Sequence, residues 1–261
     1  MRAPRTLASL DEVDSGDHVC QLVERADDVI DRSRAFVADG VLRGDKVVIV
    51  GPLPKVGPEF APLVLDPARS GGSLLAAVRR EAANADREGF RSMRVLHHAG
   101  PADRRAEPTS ELLRSELDLE EFAADTGALV VCAYSGADWD ASALRRLGCV
   151  HPHHLGSRPV SPAFQVYRTG KEGWTVHGIV DSEGAAAFGT ILGTLLAQRS
   201  ALRLLCHDLE FFDAAGMTAL ANAARRLPDR KVILEGTNET VRLAWELSGF
   251  SIPDIPVVIV P

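Results

Sequence analysis

The chain has little of what marks secreted, membrane-spanning or nucleic-acid-binding proteins. Cysteine is scarce: Cys20, Cys132, Cys149 and Cys206 are spread through 261 residues without paired spacing. That excludes a disulfide framework and fits reduced, partly buried thiols in a cytoplasmic protein. Long apolar runs are missing. The longest, around residues 47–50 and 257–260, are strand-length and far below the roughly 20 residues a membrane span needs. The first residues, Met-Arg-Ala-Pro-Arg-Thr-Leu, lack the apolar core of a signal peptide. A basic excess is also missing. The net charge is −7, and the pairs at 79–80, 104–105, 145–146 and 225–226 are scattered along helical pattern. Solvated helix faces account for them, so neither a nucleic acid nor a membrane is an expected partner.

What is present is ordinary globular chain. A hydrophobic content of 46% with 25% charged residues suits a folded protein, and the length suits two domains. Residues 1–16 read as a polar arm. Strands are expected at 17–23, 46–51, 92–96, 127–134 and 164–167. Helices are expected from 27–28 to the Gly40–Gly44 turn, at 73–87, through Leu112 to Phe122, and at 140–147. Continuous apolar strands alternating with helices predict an α/β fold with a mainly parallel sheet over residues 17–168. Residues 169–173, Thr-Gly-Lys-Glu-Gly, are polar and read as a linker. Beyond them, over 174–261, a smaller α/β domain is expected, with strands at 174–180, 202–206, 231–235 and 257–260 and helices at 184–198, 214–227 and 239–247.

The most informative stretch is 202–220. An apolar strand is followed by a short polar and aromatic crossing, and Asp213 stands where a helix N-cap belongs. Met217, Leu220, Ala221, Ala224 and Leu227 then fall on one helical face. With Gly178-Ile-Val-Asp181 and residues 241–249, this stretch resembles the STAS domain of anti-sigma-factor antagonists over 174–261. In that family an Asp-Ser-Ser/Thr-Gly motif carries a regulatory phosphoserine. Here it reads Asp213-Ala214-Ala215-Gly216, so that switch has no oxygen to work on. The resemblance implies a docking surface of Asp213, Ala214, Ala215, Gly216, Thr218 and Asn222 for an anti-sigma factor or serine kinase-type protein. It is also compatible with a homodimer.

The earlier part resembles a second family. Gly16-Asp-His18, the Gly40 to Gly44-Asp45 turn, Cys132-Ala-Tyr134 and His151-Pro152 are similar to the MEDS sensory domain. This resemblance implies a RecA-like module used for sensing small molecules. At the place of the phosphate loop the chain reads Gly51-Pro-Leu-Pro-Lys-Val-Gly57-Pro. Prolines remove the backbone donors and no Lys-Ser/Thr follows, so nucleotide hydrolysis is not expected. His18, His97, His98, His151, His153 and His154 gather in this part. Apart from His18 at a strand start, they are expected in loops after strands, where open parallel sheets bind ligands. A small-molecule pocket of His18, His97, Tyr134 and His151 is the expectation, set against plain surface or hydrogen-bonded core histidines. With Cys20, Cys132 and Cys149 the residue types for zinc or iron exist. No Cys-x-x-Cys or His-x-x-x-His spacing appears, so no metal and no cofactor is assigned.

No nucleophile elbow and no suggestive acid pair is evident, so no catalytic residue is assigned and no enzyme is expected. The sequence thus points to a cytoplasmic signalling regulator that couples a sensor to a STAS-type surface. The alternatives are a constitutive protein-binding scaffold without ligand sensing, and an enzyme with a degenerate nucleotide site.

Overall fold

The computed structural model describes residues 3–51, 62–65, 73–100, 110–156, 162–170 and 173–260. The chain forms two units, Arg5–Ser161 and Pro162–Pro261, each with its own sheet.

The first unit contains β1 (Arg5–Leu7), β2 (His18–Val23), α1 (Asp28–Arg43), β3 (Lys46–Val50), β4 (Leu63–Leu65), α2 (Leu74–Glu88), β5 (Met93–His98), α3 (Ser110–Thr126), β6 (Leu129–Ser135), α4 (Ala141–Gly148) and β7 (His153–Leu155). Its seven strands run in the order β1-β7-β2-β6-β5-β3-β4, every pairing parallel. The α/β class and the mainly parallel sheet expected from the sequence are what the structure has. Side chains alternate between faces along each strand. Val19, Val47, Ile49, Leu96 and Val131 pack against Val29, Phe36 and Val37 of α1. The opposite face, with Cys20, Val48, Val95, Val130, Cys132 and Tyr134, is covered by Val78 of α2, Leu119 and Phe122 of α3, and Leu147 of α4. Caps set the helix starts: Ser73 and Asp140 accept from the N–H groups of Ala76 and Ala143.

The second unit holds β8 (Phe164–Thr169), β9 (Gly173–Val180), α5 (Ala185–Ala197), β10 (Ala201–Leu205), β11 (Leu209–Phe212), α6 (Ala214–Arg225), β12 (Lys231–Glu235), α7 (Glu239–Leu247) and β13 (Val257–Val260). The order is β11-β9-β10-β12-β13, parallel throughout, with β8 antiparallel on β9. Among the described residues no helix is long and apolar enough to cross a membrane.

Three sequence expectations change. The 1–16 arm is not wholly irregular, because β1 joins the first sheet beside β7. The strand near 164–167 belongs to the second sheet rather than the first, and residues 169–173 are not a linker between domains. Thr169 and Gly173 face each other at the end of the β8–β9 hairpin. The loop read against a phosphate cradle lies, beyond Gly51, outside the described residues.

Candidate functional site

Strand alternation and sheet register assemble a polar cluster inside the first unit. Cys132 lies mid-strand on β6, level with His97 of β5 on one side and Cys20 of β2 on the other. Cys20, Cys132 and Tyr134 belong to the core beneath α3 and α4, and His18 and His97 share that face by alternation. From above, α3 turns Glu116 and Glu120 inward, one helical turn apart and both with no exposed surface. His151, just past α4, completes the group and is equally buried.

The geometry centres on Glu116. Its Oε2 lies 3.3 Å from His18 Nε2 and 3.2 Å from His151 Nε2, and its Oε1 lies 3.4 Å from His97 Nδ1. His18 Nε2 also stands 3.3 Å from Cys132 Sγ, and its Nδ1 is 3.3 Å from Glu120 Oε2. The His18 and His151 rings are 4.1 Å apart, and the edge of Tyr134 meets His151 at 6.0 Å.

Electrostatics follow from burial and this proximity. Burial alone would raise the Glu116 carboxyl, but His151, His18 and His97 outweigh it and hold the group well below the usual carboxylate range. Burial lowers His18, yet the carboxylates on either side leave it raised. His151 is lowered, by burial and by neighbouring His18. Burial and then the Glu116 charge push the Cys132 thiol and the Tyr134 phenol well upward. The site is a set of coupled polar groups in a water-excluded layer.

All four expected pocket residues, His18, His97, Tyr134 and His151, lie in this cluster. Its location differs from expectation. The cluster lies between sheet and helices, with His18 first in β2, Cys132 in the middle of β6 and His97 next to last in β5, rather than gathered in a crevice at the strands' carboxyl ends. His97 and His98 are the last residues of β5, not part of a loop, and alternation turns His98 to the α1 face. His153 and His154 lie in β7, where His153 Nε2 is 3.2 Å from Asp17 Oδ1. Burial, with His151 and His153 nearby, pushes His154 down to about 3. Glu116 and Glu120 were not legible as site residues, although their spacing relative to Leu112, Leu113 and Leu117 puts them on the apolar face of α3. Cys132, two residues before Tyr134, joins the cluster although the expected pocket does not include it.

Residues 17–152, more than half the chain, match the family described as MEDS: MEthanogen/methylotroph, DcmR Sensory domain. The chain belongs to the MEDS family. The match contains every member of the cluster, from His18 to His151, and ends before the second unit. A comparison with curated proteins returned no match. Membership in this family suggests a sensory or signalling role, and the buried cluster is a polar feature in the interior of the matched part.

The surface expected to dock a partner is on α6 of the second unit. Asp213 is the N-cap and accepts from Gly216 N at 2.8 Å. Ala214, Thr218 and Asn222 are exposed and Ala215 is half-buried. Gly216 is buried, and a side chain there would run into the Phe212 ring at 2.6 Å and Val180 at 2.9 Å. Its place in the motif is a packing requirement.

Proposed function

We propose that this protein is a non-enzymatic cytoplasmic signalling regulator whose MEDS unit senses a small molecule and whose second unit docks a protein partner. The observation that carries the sensory half is the enclosed cluster around Glu116 in a domain of a sensory family. A hydrophobic layer has no packing need for three imidazoles and two carboxylates. Desolvating them is costly, and a ligand that pairs with them offsets that cost.

The partner-docking half rests on the resemblance of residues 174–261 to a STAS domain. It is supported by the exposed face of α6 running from Ala214 through Thr218 to Asn222. With alanine at 214 and 215 the usual phosphorylation has no acceptor. Thr218 spends its hydroxyl on the Ala214 carbonyl at 2.7 Å, within the helix. Regulation would instead come from the MEDS unit, through a ligand that prefers one state of the full chain. The expected partner is an anti-sigma factor or serine kinase-type protein.

Those alanines also support a second reading, a scaffold held permanently in the unphosphorylated binding state. Two measurements separate the readings. Native mass spectrometry of the full chain, against its denatured mass, is expected to show a retained small molecule or ion, and a bare chain under all growth conditions favours the scaffold. Two-hybrid tests against the anti-sigma kinase-type proteins of the source genome are expected to give a partner that Ala214→Asp abolishes. A partner indifferent to Ala214→Asp removes α6 as the docking surface.

A further inference from the structure

One donor atom from each of His18, Glu116, Cys132 and His151 falls in a group whose members all lie within 4.8 Å of one another, and all four residues are buried. Three of those separations are short and nearly equal: 3.3 Å from His18 Nε2 to Glu116 Oε2, 3.2 Å from His151 Nε2 to the same oxygen, and 3.3 Å from His18 Nε2 to Cys132 Sγ. A tetrahedral ion with bonds of about 2.0–2.3 Å to nitrogen, oxygen and sulfur sets its ligand atoms about 3.3–3.6 Å apart. A direct charge-assisted N–H···O bond would be shorter, about 2.7–2.9 Å. These three of the six separations match those of ligands around a shared centre.

The groups behind these side chains turn their donor atoms toward one another. His151 Nδ1 is 2.8 Å from the Leu147 carbonyl, which can only accept, so that nitrogen carries the hydrogen. That bond orients the ring so that Nε2 faces Glu116 Oε2 at 3.2 Å. On the far side of His18, the Glu120 carboxylate at 3.3 Å from Nδ1 fixes the ring so that Nε2 points at Glu116 and Cys132. His97 engages Glu116 Oε1 and leaves Oε2 directed into the group. Carboxylate and carbonyl partners behind histidine ligands are the usual outer arrangement of a protein metal centre.

We propose that the MEDS unit binds one divalent ion of the zinc class through His18, Glu116, Cys132 and His151. Two imidazoles, a thiolate and a carboxylate form a borderline donor set that suits Zn(II), Co(II) or Fe(II) and does not suit Mg(II) or Ca(II), which take oxygen cages. The thiolate and carboxylate together balance the ion's charge inside the core. Binding displaces the Cys132 proton to solvent, as ligation of a thiol requires. The inference deepens the sensory reading, because a buried metal gives a small polar or anionic molecule something to coordinate, most directly by displacing the Glu116 oxygen. It fails separately: a chain that holds zinc but shows no ligand response keeps the metal site and loses the sensor.

The test uses the full chain, stripped with chelator and reloaded with Zn(II) or Co(II) alone. One equivalent of zinc per chain is expected after dialysis. The cobalt form is expected to show the intense visible absorption of a tetrahedral centre and a thiolate-to-cobalt charge-transfer band. Cys132→Ser should abolish that band and weaken binding by about tenfold or more, while Cys149→Ser, a buried thiol outside the cluster, should leave both intact. X-ray absorption of the unaltered zinc form, which depends on no variant's folding, should give one sulfur and three nitrogen or oxygen neighbours. Substoichiometric metal after reloading, a shell without sulfur, or a cobalt spectrum that Cys132→Ser does not change would overturn the proposal.

Discussion

Arg94 and Asp45 show how a second buried charge in the same sheet is handled without any need for a ligand. The Arg94 guanidinium donates to Asp45 Oδ2 at 2.8 Å and to the Phe36 carbonyl at 3.0 Å, and lies over the Phe36 ring. Both side chains are almost wholly buried. Removing one partner strands the other's charge, so Arg94→Met is expected to cost about 3–5 kcal/mol. Asp45→Leu combined with Arg94→Met should recover much of that loss, because no uncompensated charge remains. Guanidinium unfolding of the three variants checks this, and a double variant as weak as Arg94→Met would show that packing rather than charge sets the cost. The Glu116 cluster differs because three imidazoles meet one carboxylate with no such one-to-one match. Its histidines and Tyr134 were readable in the sequence because they stand out against apolar strands. Glu116 and Glu120 were not, since α3 also carries Glu111, Asp118, Glu121 and Asp125. Which acids turn inward depends on how the helix lies on the sheet.

Helix α6 illustrates what local pattern does settle. Its buried face, Met217, Leu220, Ala221 and Ala224, follows from a 3.6-residue period, and its start follows from Asp213. Asp213→Ala is expected to cost about 1 kcal/mol through loss of the bond to Gly216 N. Gly216→Ala should cost more, on the order of 1–3 kcal/mol from crowding against Phe212 and Val180, although alanine is the better helix former by up to about 1 kcal/mol. Denaturation followed through the buried Trp174 and Trp245 measures both. A Gly216→Ala protein as stable as the parent would mean that Phe212 gives way freely. The same reasoning explains the missed strands. β1, β4 and β7 have three residues each and β11 has four. A segment that short shows no period to read, and its pairing is set by neighbours distant in sequence. The strands of five or more residues and every helix can be placed from sequence, and so can β13, whose four residues form one continuous apolar run.

Each of the two units has a core of its own, and where one chain segment is assigned decides what can fold alone. In sequence, the polar glycine-rich stretch at 169–173 reads as a natural cut. In the fold β8 pairs antiparallel with β9 as far as Thr169 and Gly173, so β8, on the far side of that cut, belongs to the second unit. Phe164, Val166 and Tyr167 of β8 are almost fully buried, and Phe164 stacks edge-on against Phe188 of α5, which in turn meets Phe212. Burying such side chains contributes roughly 1.5–3 kcal/mol each. Together that is comparable with the whole stability of a small domain, about 5–15 kcal/mol. A fragment of residues 162–261 is therefore expected to unfold cooperatively on heating. A fragment of 174–261 lacks β8, exposes the edge of β9 and opens the Phe188 pocket, so it should aggregate or melt without a transition. Far-ultraviolet dichroism of the two fragments during heating distinguishes them. If 174–261 melts as sharply as 162–261, β8 is an accessory strand and the boundary read from composition would mark the true folding unit.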